Sequence, residues 1–139
     1  MQVKITDRFA IIRIDRGENV ISCLKEICRD FHIKAASVSG IGATDDFTCG
    51  VFNVRTKEYK EICFTGMYEI ISLCGNITAK DDEPYIHIHI CASDENGTCV
   101  GGHLIQANIS VTCEIVLSII DTEIDRSYDS SIGINLLNM

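Results

Sequence analysis

The 139-residue sequence has no tryptophan, a single proline and few aromatic residues, which make up 6% of it. Its core must therefore be aliphatic, and because isoleucine is abundant, strands are favoured. Apolar residues make up 46% of the sequence, so we expect a sizeable core that needs neither disulfides nor metals. Linkers and internal repeats are also missing, and we interpret residues 1–139 as a single domain.

Basic residues are scarce, since 12 lysines and arginines stand against 20 aspartates and glutamates and leave a net charge of −8. An acidic surface repels phosphate groups, so neither nucleic acid nor an anionic membrane is expected as a partner. No apolar run approaches the roughly 18–20 residues that span a bilayer. The N-terminal sequence MQVKITDRF lacks the apolar run of a signal peptide, which predicts a cytoplasmic location.

The eight cysteines are scattered along the sequence and form no CxxC pair. An even number can indicate a disulfide framework in a secreted protein. Here the absent signal peptide and the ample core argue against that framework. We expect reduced thiols that act mostly as small buried apolar groups.

One helix is predicted near the N-terminus, after a short apolar run at residues 8–14 that is typical of a buried strand. The helix should begin near Gly17. Its buried stripe is formed by four apolar residues at helical spacing, Val20, Leu24, Ile27 and Phe31.

The rest of the sequence predicts strands separated by turns. Residues 34–46 indicate a small-residue strand that ends in a Gly-rich turn. The segment 102–120 is too long for one flat strand, so a bend or bulge is expected near residues 106–110. Mostly consecutive, antiparallel strands with one helix on a sheet face make an α+β domain. Further candidate strands are 46–54, 59–66, 68–77 and 85–93.

Three of the four histidines lie within PYIHIHICASDENGTCVGGHLI, residues 84–105. Strand alternation places His87 and His89 side by side on one face and the intervening isoleucines on the core face. The Asn-Gly pair that follows predicts a hairpin, which brings His103 back beside His87 or His89. Gly101 and Gly102 would give the returning backbone room.

Three neutral imidazoles on neighbouring strands can hold a divalent transition metal and leave the fourth position to water or substrate. We predict zinc, although imidazole also suits nickel, copper and iron. Cys91 continues the same face and either serves as a fourth ligand or only packs. The alternative is that these histidines merely decorate a polar sheet face. His32 is expected at the surface, where the helix ends.

Two segments, GMYEIISLCGNIT (66–78) and HIHICASDENGTCVGGHLIQANISVTCEIVL (87–117), resemble the PPC domain family. This is the plants and prokaryotes conserved domain, also called DUF296, a domain of unknown function. The N-terminal half fits the same pattern, including its GxG turn. The resemblance implies a homotrimer and an antiparallel sheet that is curled into a partly closed barrel with one helix packed on it. In some prokaryotic members it implies a metal held at the positions of His87, His89 and His103.

The fold implied by this resemblance is similar to that of acetolactate decarboxylase, a zinc lyase with three histidine ligands. No motif that matches the catalytic carboxylates or arginine of that enzyme is visible here. Plant members of the PPC family carry a separate AT-hook for the minor groove of DNA. This sequence has no such segment and resembles the stand-alone bacterial and archaeal type.

Two main function classes stay open. The first is a metal-dependent lyase or hydrolase acting on a small hydroxy- or keto-acid, which needs an acid/base group. The first candidate for that group is Glu69, followed by Glu114 and Tyr85. The second class is a trimeric binding or oligomerisation module for a partner or a small ligand, with a structural metal or none. DNA binding is a third class, which the charge disfavours.

Overall fold

The computed structural model describes all 139 residues, which form eight strands and one helix. Every strand pairing is antiparallel, so the predicted class of a mostly antiparallel sheet with a single helix is confirmed. The elements are β1 (Gln2–Ile5), β2 (Phe9–Asp15), α1 (Val20–Asp30), β3 (Ala36–Asn53), β4 (Glu58–Lys80), β5 (Glu83–Ser93), β6 (Cys99–Ile119), β7 (Arg126–Asp129) and β8 (Ile134–Leu137).

Six strands form one sheet in the order β1-β2-β6-β3-β4-β5, and β7 and β8 form a separate two-stranded sheet. The long strand β6 pairs with β5 through its first residues, with β3 along most of its length and with β2 near its end. The pairings β6–β3, β3–β4, β4–β5 and β5–β6 therefore close a cycle of four strands.

The helix is shorter than the sequence suggests. Gly17 still donates its N–H to the carbonyl of Ile109 on β6, so the helix begins only at Val20. The side chain of Asn19 caps it by accepting from an N–H of the first turn. The prediction for Phe31 is wrong, because this residue follows the last helical turn and is 48% exposed. The buried stripe is Val20, Cys23, Leu24, Ile27 and Cys28.

The predicted Gly-rich turn is also wrong, because β3 continues through Gly40 and Gly42. A Cβ on Gly42 would lie 2.5 Å from the carbonyl oxygen of Thr112, so glycine lets β6 approach closely. The candidate strands 59–66 and 68–77 likewise merge into β4. The irregularity expected near residues 106–110 is present, as the register of β6 against β3 shifts at 104–106 and at 108–113.

The core has 25 buried apolar residues. The helix α1 packs against β5 and β6. Ile88 and Ile90 are buried in it and Ile86 packs against it, which confirms the predicted core face of β5. All eight cysteines are unpaired, but only four of them are buried, so the thiols are core groups less often than expected. The one helix is too short and too polar to cross a bilayer. The buried cysteines are Cys23, Cys28, Cys49 and Cys113.

Candidate metal centre

Three histidines converge on the outward face of β5 and β6. His89 lies directly opposite His103 in the antiparallel register, and His87 lies two residues earlier on the same face as His89. The ring centroids are 5.2, 5.5 and 5.6 Å apart. One potential ligand atom of each ring lies within 4.8 Å of the others. The structure thus brings the three predicted residues together and resolves which histidine faces His103.

The hairpin turn between β5 and β6 sets this register. The carboxylate of Asp94 accepts from the N–H of Asn96 at 2.9 Å and of Thr98 at 2.8 Å. Gly97 donates its N–H to the Asp94 carbonyl and has a φ of +81°, a conformation that glycine adopts at no steric cost. The Asn-Gly hairpin is therefore confirmed, and Asp94 is the side chain that locks it.

Two glycines bring His103 close to its partners, because β6 is inserted here between β5 and β3. A Cβ on Gly101 would lie only 2.2 Å from the carbonyl oxygen of Ile90, and one on Gly102 would lie 2.8 Å from that of Gly50. Any larger residue would push β6 away from a neighbouring strand. The room predicted for the returning backbone is confirmed. The glycines provide it by letting β6 lie in close contact with both neighbouring strands.

The environment keeps two of the imidazoles neutral. Burial lowers the pKa of His103 to about 4, and the neighbouring His87 and His89 add to that shift. Burial also lowers the pKa of His87, followed by the positive charge of Arg126 and the nearby His89. Only the neutral imidazole has a lone pair for a metal, so His87 and His103 are in the form that ligates at neutral pH.

The donor set fits a metal ion. Nδ1 of His103 is buried and has no hydrogen-bond partner, an arrangement that costs about 1–3 kcal/mol. The ring of Tyr59 lies beside that of His103, with the two ring centroids 5.0 Å apart. Three imidazoles, one of them with an unsatisfied nitrogen, match the chemistry of zinc and of its neighbours in the transition series.

An arginine from the C-terminal hairpin forms one wall of the site. Nη2 of Arg126 lies 3.4 Å from Nδ1 of His87 and donates to the side-chain oxygen of Asn76 at 2.8 Å. Nε of Arg126 donates to the hydroxyl of Thr78 at 2.8 Å, and the guanidinium lies 4.6 Å from the ring centroid of Tyr85. Sequence reasoning missed Arg126, because it comes from a short strand far along the chain and no local spacing connects it with the histidines.

The other sequence candidates are distributed differently. Tyr85 lies beneath Arg126, two residues before His87 on the same face of β5. Glu69 and Glu114 are exposed and line another cleft, of about 420 Å³, and no carboxylate belongs to the converging group. Cys91 is half-buried and is not part of that group either. His32 is exposed in the turn after α1, as expected.

The sequence matches the Plants and Prokaryotes Conserved (PCC) domain over residues 1–121. No curated protein matches it. A plant- and prokaryote-conserved (PPC) protein of Pyrococcus horikoshii is 31% identical, with a TM-score of 0.88 over 99% of this chain and 95% of that one. A metal-containing protein of Archaeoglobus fulgidus is 28% identical, with a TM-score of 0.88 over 99% and 97% of the two chains.

A third structure, from Bacteroides thetaiotaomicron, is described as a "putative DNA binding protein". It is 28% identical, with a TM-score of 0.95 over 99% of this chain and 96% of that one. That description does not support our expectation that nucleic acid is excluded as a partner. The family match covers most of the sequence and ends before β7, which supplies Arg126. The chain belongs to the Plants and Prokaryotes Conserved domain family.

Proposed function

We propose that the His87, His89 and His103 side chains of this PPC domain hold one zinc ion for chemistry on a small molecule. The observation that carries the proposal is the convergence of three ligand atoms within 4.8 Å of one another. The unsatisfied Nδ1 of His103 supports it, as does the likeness to a metal-containing protein. Zinc bound there would polarise a carbonyl group or lower the pKa of a bound water.

The surroundings favour a catalytic ion over a structural one. A structural zinc is closed by four protein ligands, whereas three histidines leave a position for water or substrate. No cysteine or carboxylate joins the three histidines, and His89 is exposed to solvent. A lyase or hydrolase acting on a small hydroxy- or keto-acid would use this open position. Among the sequence candidates for its acid/base group, Tyr85 shares the histidine face of β5, two residues before His87.

The second candidate function, a trimeric binding module, is favoured by an exposed apolar groove. Ile11, Ile41 and Val116 are 50%, 58% and 41% exposed and line a groove of about 600 Å³. A strand that is apolar on both faces needs cover on both, and two further copies of the chain would supply it. We infer a homotrimer of the PPC type, in which the closed cycle of strands forms a curled, barrel-like sheet.

Charge and cysteine chemistry support the remaining inferences about partners and location. A net charge of −8 without a basic run disfavours the phosphate contacts on which DNA affinity depends. We therefore infer that nucleic acid is not a partner, unlike what is suggested for the Bacteroides relative. Eight unpaired cysteines are in keeping with a reducing cytoplasm.

Metal analysis of the purified protein, followed by a metabolite screen, tests the proposal. We expect one zinc per chain by elemental mass spectrometry. X-ray absorption of the zinc-loaded protein should show three imidazole nitrogens and an oxygen of water that a substrate displaces. Turnover of a hydroxy- or keto-acid by the loaded but not the metal-free protein would support the enzyme. A zinc ion coordinated by four protein ligands would instead favour the binding module. A protein without metal affinity would contradict both a catalytic and a structural metal at this site.

A further inference from the structure

Arg126 is a buried cation without an acidic partner. It is only 7% exposed, and none of the ion pairs in the structure involves it. Its partners are neutral: the oxygens of Thr78, Asn135 and Asn76 and a ring nitrogen of His87. Burial accordingly lowers the pKa of Arg126 from its ordinary value. A buried charge is costly unless an opposite charge compensates it, and the structure supplies none.

The hydrogen bonds of Arg126 leave two of its N–H donors unused. A guanidinium has five N–H donors, and Nε, Nη1 and Nη2 of Arg126 use three of them in bonds of 2.8, 3.0 and 2.8 Å. The contact from Nη2 to His87 is 3.4 Å, longer than an ordinary hydrogen bond. Nη1 keeps one further N–H. Two donors are therefore available to a better acceptor.

The contact with His87 does not fit the usual support of a metal ligand. A ligating histidine normally donates its second N–H to a carboxylate or carbonyl, which makes the ring a better ligand. Arg126 can only donate, and its charge opposes that of a metal. The position of Arg126 beside His87 is therefore explained better by a ligand that binds at the site than by support of the metal.

The C-terminal hairpin holds the guanidinium rigidly in this place. The N–H of Ala79 on β4 donates to the carbonyl of Ile124 at 2.9 Å, just before β7. The Asn135 carbonyl on β8 accepts from Nη1, and the Tyr85 ring lies beneath the guanidinium. A cation fixed before the ligand arrives loses little freedom on binding it.

We propose that Arg126 recognises the negative charge of the ligand, which is a small carboxylate able to bind the metal at the same time. This proposal rests on the proposed metal centre and narrows the substrate class of that centre to anions. A guanidinium and a carboxylate form parallel charge-assisted hydrogen bonds, which a point charge cannot reproduce. Because the chain as a whole carries a charge of −8, a local cation is what would let an anion approach the site.

Cobalt-loaded full-length protein and three chelators of nearly equal shape test this assignment. Oxalate, oxamate and oxamide carry two, one and no negative charges, and the visible spectrum of Co²⁺ reports the binding of each. The variants are Arg126→Met, Arg126→Lys and the control Arg13→Met, which alters an exposed arginine paired with Asp15. Cobalt content is measured after each titration, so that removal of the metal by a chelator is recognised.

We expect Arg126→Met to retain one Co²⁺ per chain, to lose about tenfold or more in oxalate affinity and to bind oxamide as before. Arg126→Lys should lose less, since it keeps the charge. Equal oxalate affinity in wild type and Arg126→Met, or an equal loss for all three chelators, would overturn the assignment. If Arg126→Met does not fold, Arg126→Lys decides by the same comparison of oxalate with oxamide. A wild-type protein that binds no Co²⁺ refutes the metal centre itself and the assignment with it.

Discussion

His89 on β5 lies directly opposite His103 on β6, with their ring centroids 5.6 Å apart. Residues directly opposite each other on neighbouring strands have their Cβ atoms only about 4.5–5.5 Å apart. With His87 beside it, the pair forms a triangle of nitrogen donors on one face of the sheet. The isoleucines of β5 build the core from the other face, so the site and the core are supplied by alternate residues of the same strand.

Removal of any one histidine should therefore abolish stoichiometric metal and spare the fold. We expect His87→Ala, His89→Ala and His103→Ala each to purify without zinc and to keep the wild-type circular dichroism spectrum, because the core face is untouched. His32→Ala, at an exposed histidine after α1, is the control and should keep its zinc. Full zinc occupancy in all three site variants would mean that these histidines only decorate the surface.

The face of β5 was predictable from the sequence, and the complete site was not. Period-two alternation assigns His87 and His89 to one face without any knowledge of their neighbours. The partner of His103 depends on the register, which the Asp94 carboxylate fixes through two backbone N–H groups. Arg126 could not be predicted, because long-range hydrogen bonds to Asn76 and Thr78 place it.

The error at Gly40 and Gly42 has a comparable cause. Glycine favours turns because it tolerates a positive φ, and it also lets two strands approach more closely than a Cβ would permit. The sequence of β3 alone does not distinguish these uses. Here glycine serves the close approach of β3 to β6, since a Cβ on Gly40 would lie 2.8 Å from the side chain of Ile115.

Gly101→Ala should weaken metal binding without altering a ligand. The added Cβ would lie 2.2 Å from the carbonyl oxygen of Ile90, so β6 must move away from β5 and carry His103 with it. We expect zinc affinity to fall by about tenfold or more and the free energy of unfolding to fall by about 1–3 kcal/mol. Zinc competition with a chromophoric chelator and urea denaturation measure the two quantities. Cys99→Ala, at an exposed site of the same strand, should change neither, and a Gly101→Ala protein with wild-type zinc affinity would contradict the close-contact explanation.

The metal-free protein should lose stability as the pH falls through the range of His103. The pKa of this residue is about 4 in the folded chain, against an ordinary value of 6.5, chiefly because of burial. Between these values the unfolded chain binds a proton that the folded chain does not, so the free energy of unfolding declines from about pH 6.5 down to about pH 4 and this contribution then levels off. The ring is partly open to solvent, and we expect a contribution on the order of 2 kcal/mol.

Urea denaturation of metal-free wild type and His103→Gln at several pH values measures this contribution. The acidic residues titrate in both proteins, so the difference between the two curves isolates His103. As the pH falls from 6.5 to 4, the free energy of unfolding should decline more for wild type than for His103→Gln. Parallel curves would show that His103 ionises in the folded chain as readily as in the unfolded one.

Duplex DNA should not bind with useful affinity, in spite of the description given to the Bacteroides relative. The net charge is −8, and the sequence contains no run of basic residues. We expect a dissociation constant above about 1 µM at near-physiological salt, which is the range of non-specific binding or weaker. Fluorescence anisotropy with labelled A·T-rich and mixed-sequence duplexes measures it. Saturable, salt-sensitive binding that is tighter than this limit would show the charge argument to be wrong.

The last prediction concerns the apolar groove on the outer face of the sheet. Ile41 on β3 is 58% exposed and lies in the groove beside Ile11 and Val116. If two further copies of the chain cover this face, sedimentation equilibrium at micromolar concentration should give three times the chain mass of 15.4 kDa. Ile41→Asp would then place an unpaired charge in each interface, and we expect it to shift the protein to monomers.

A matched substitution separates loss of the interface from loss of the fold. Val54 is 61% exposed in the turn between β3 and β4 and does not line the groove. Val54→Asp adds the same charge and should remain a trimer. Because Ile41 is already exposed in the isolated chain, Ile41→Asp should keep the wild-type circular dichroism spectrum as a monomer. A wild-type protein that sediments as a monomer, or two variants with the same mass, would show that this groove is not where the copies meet.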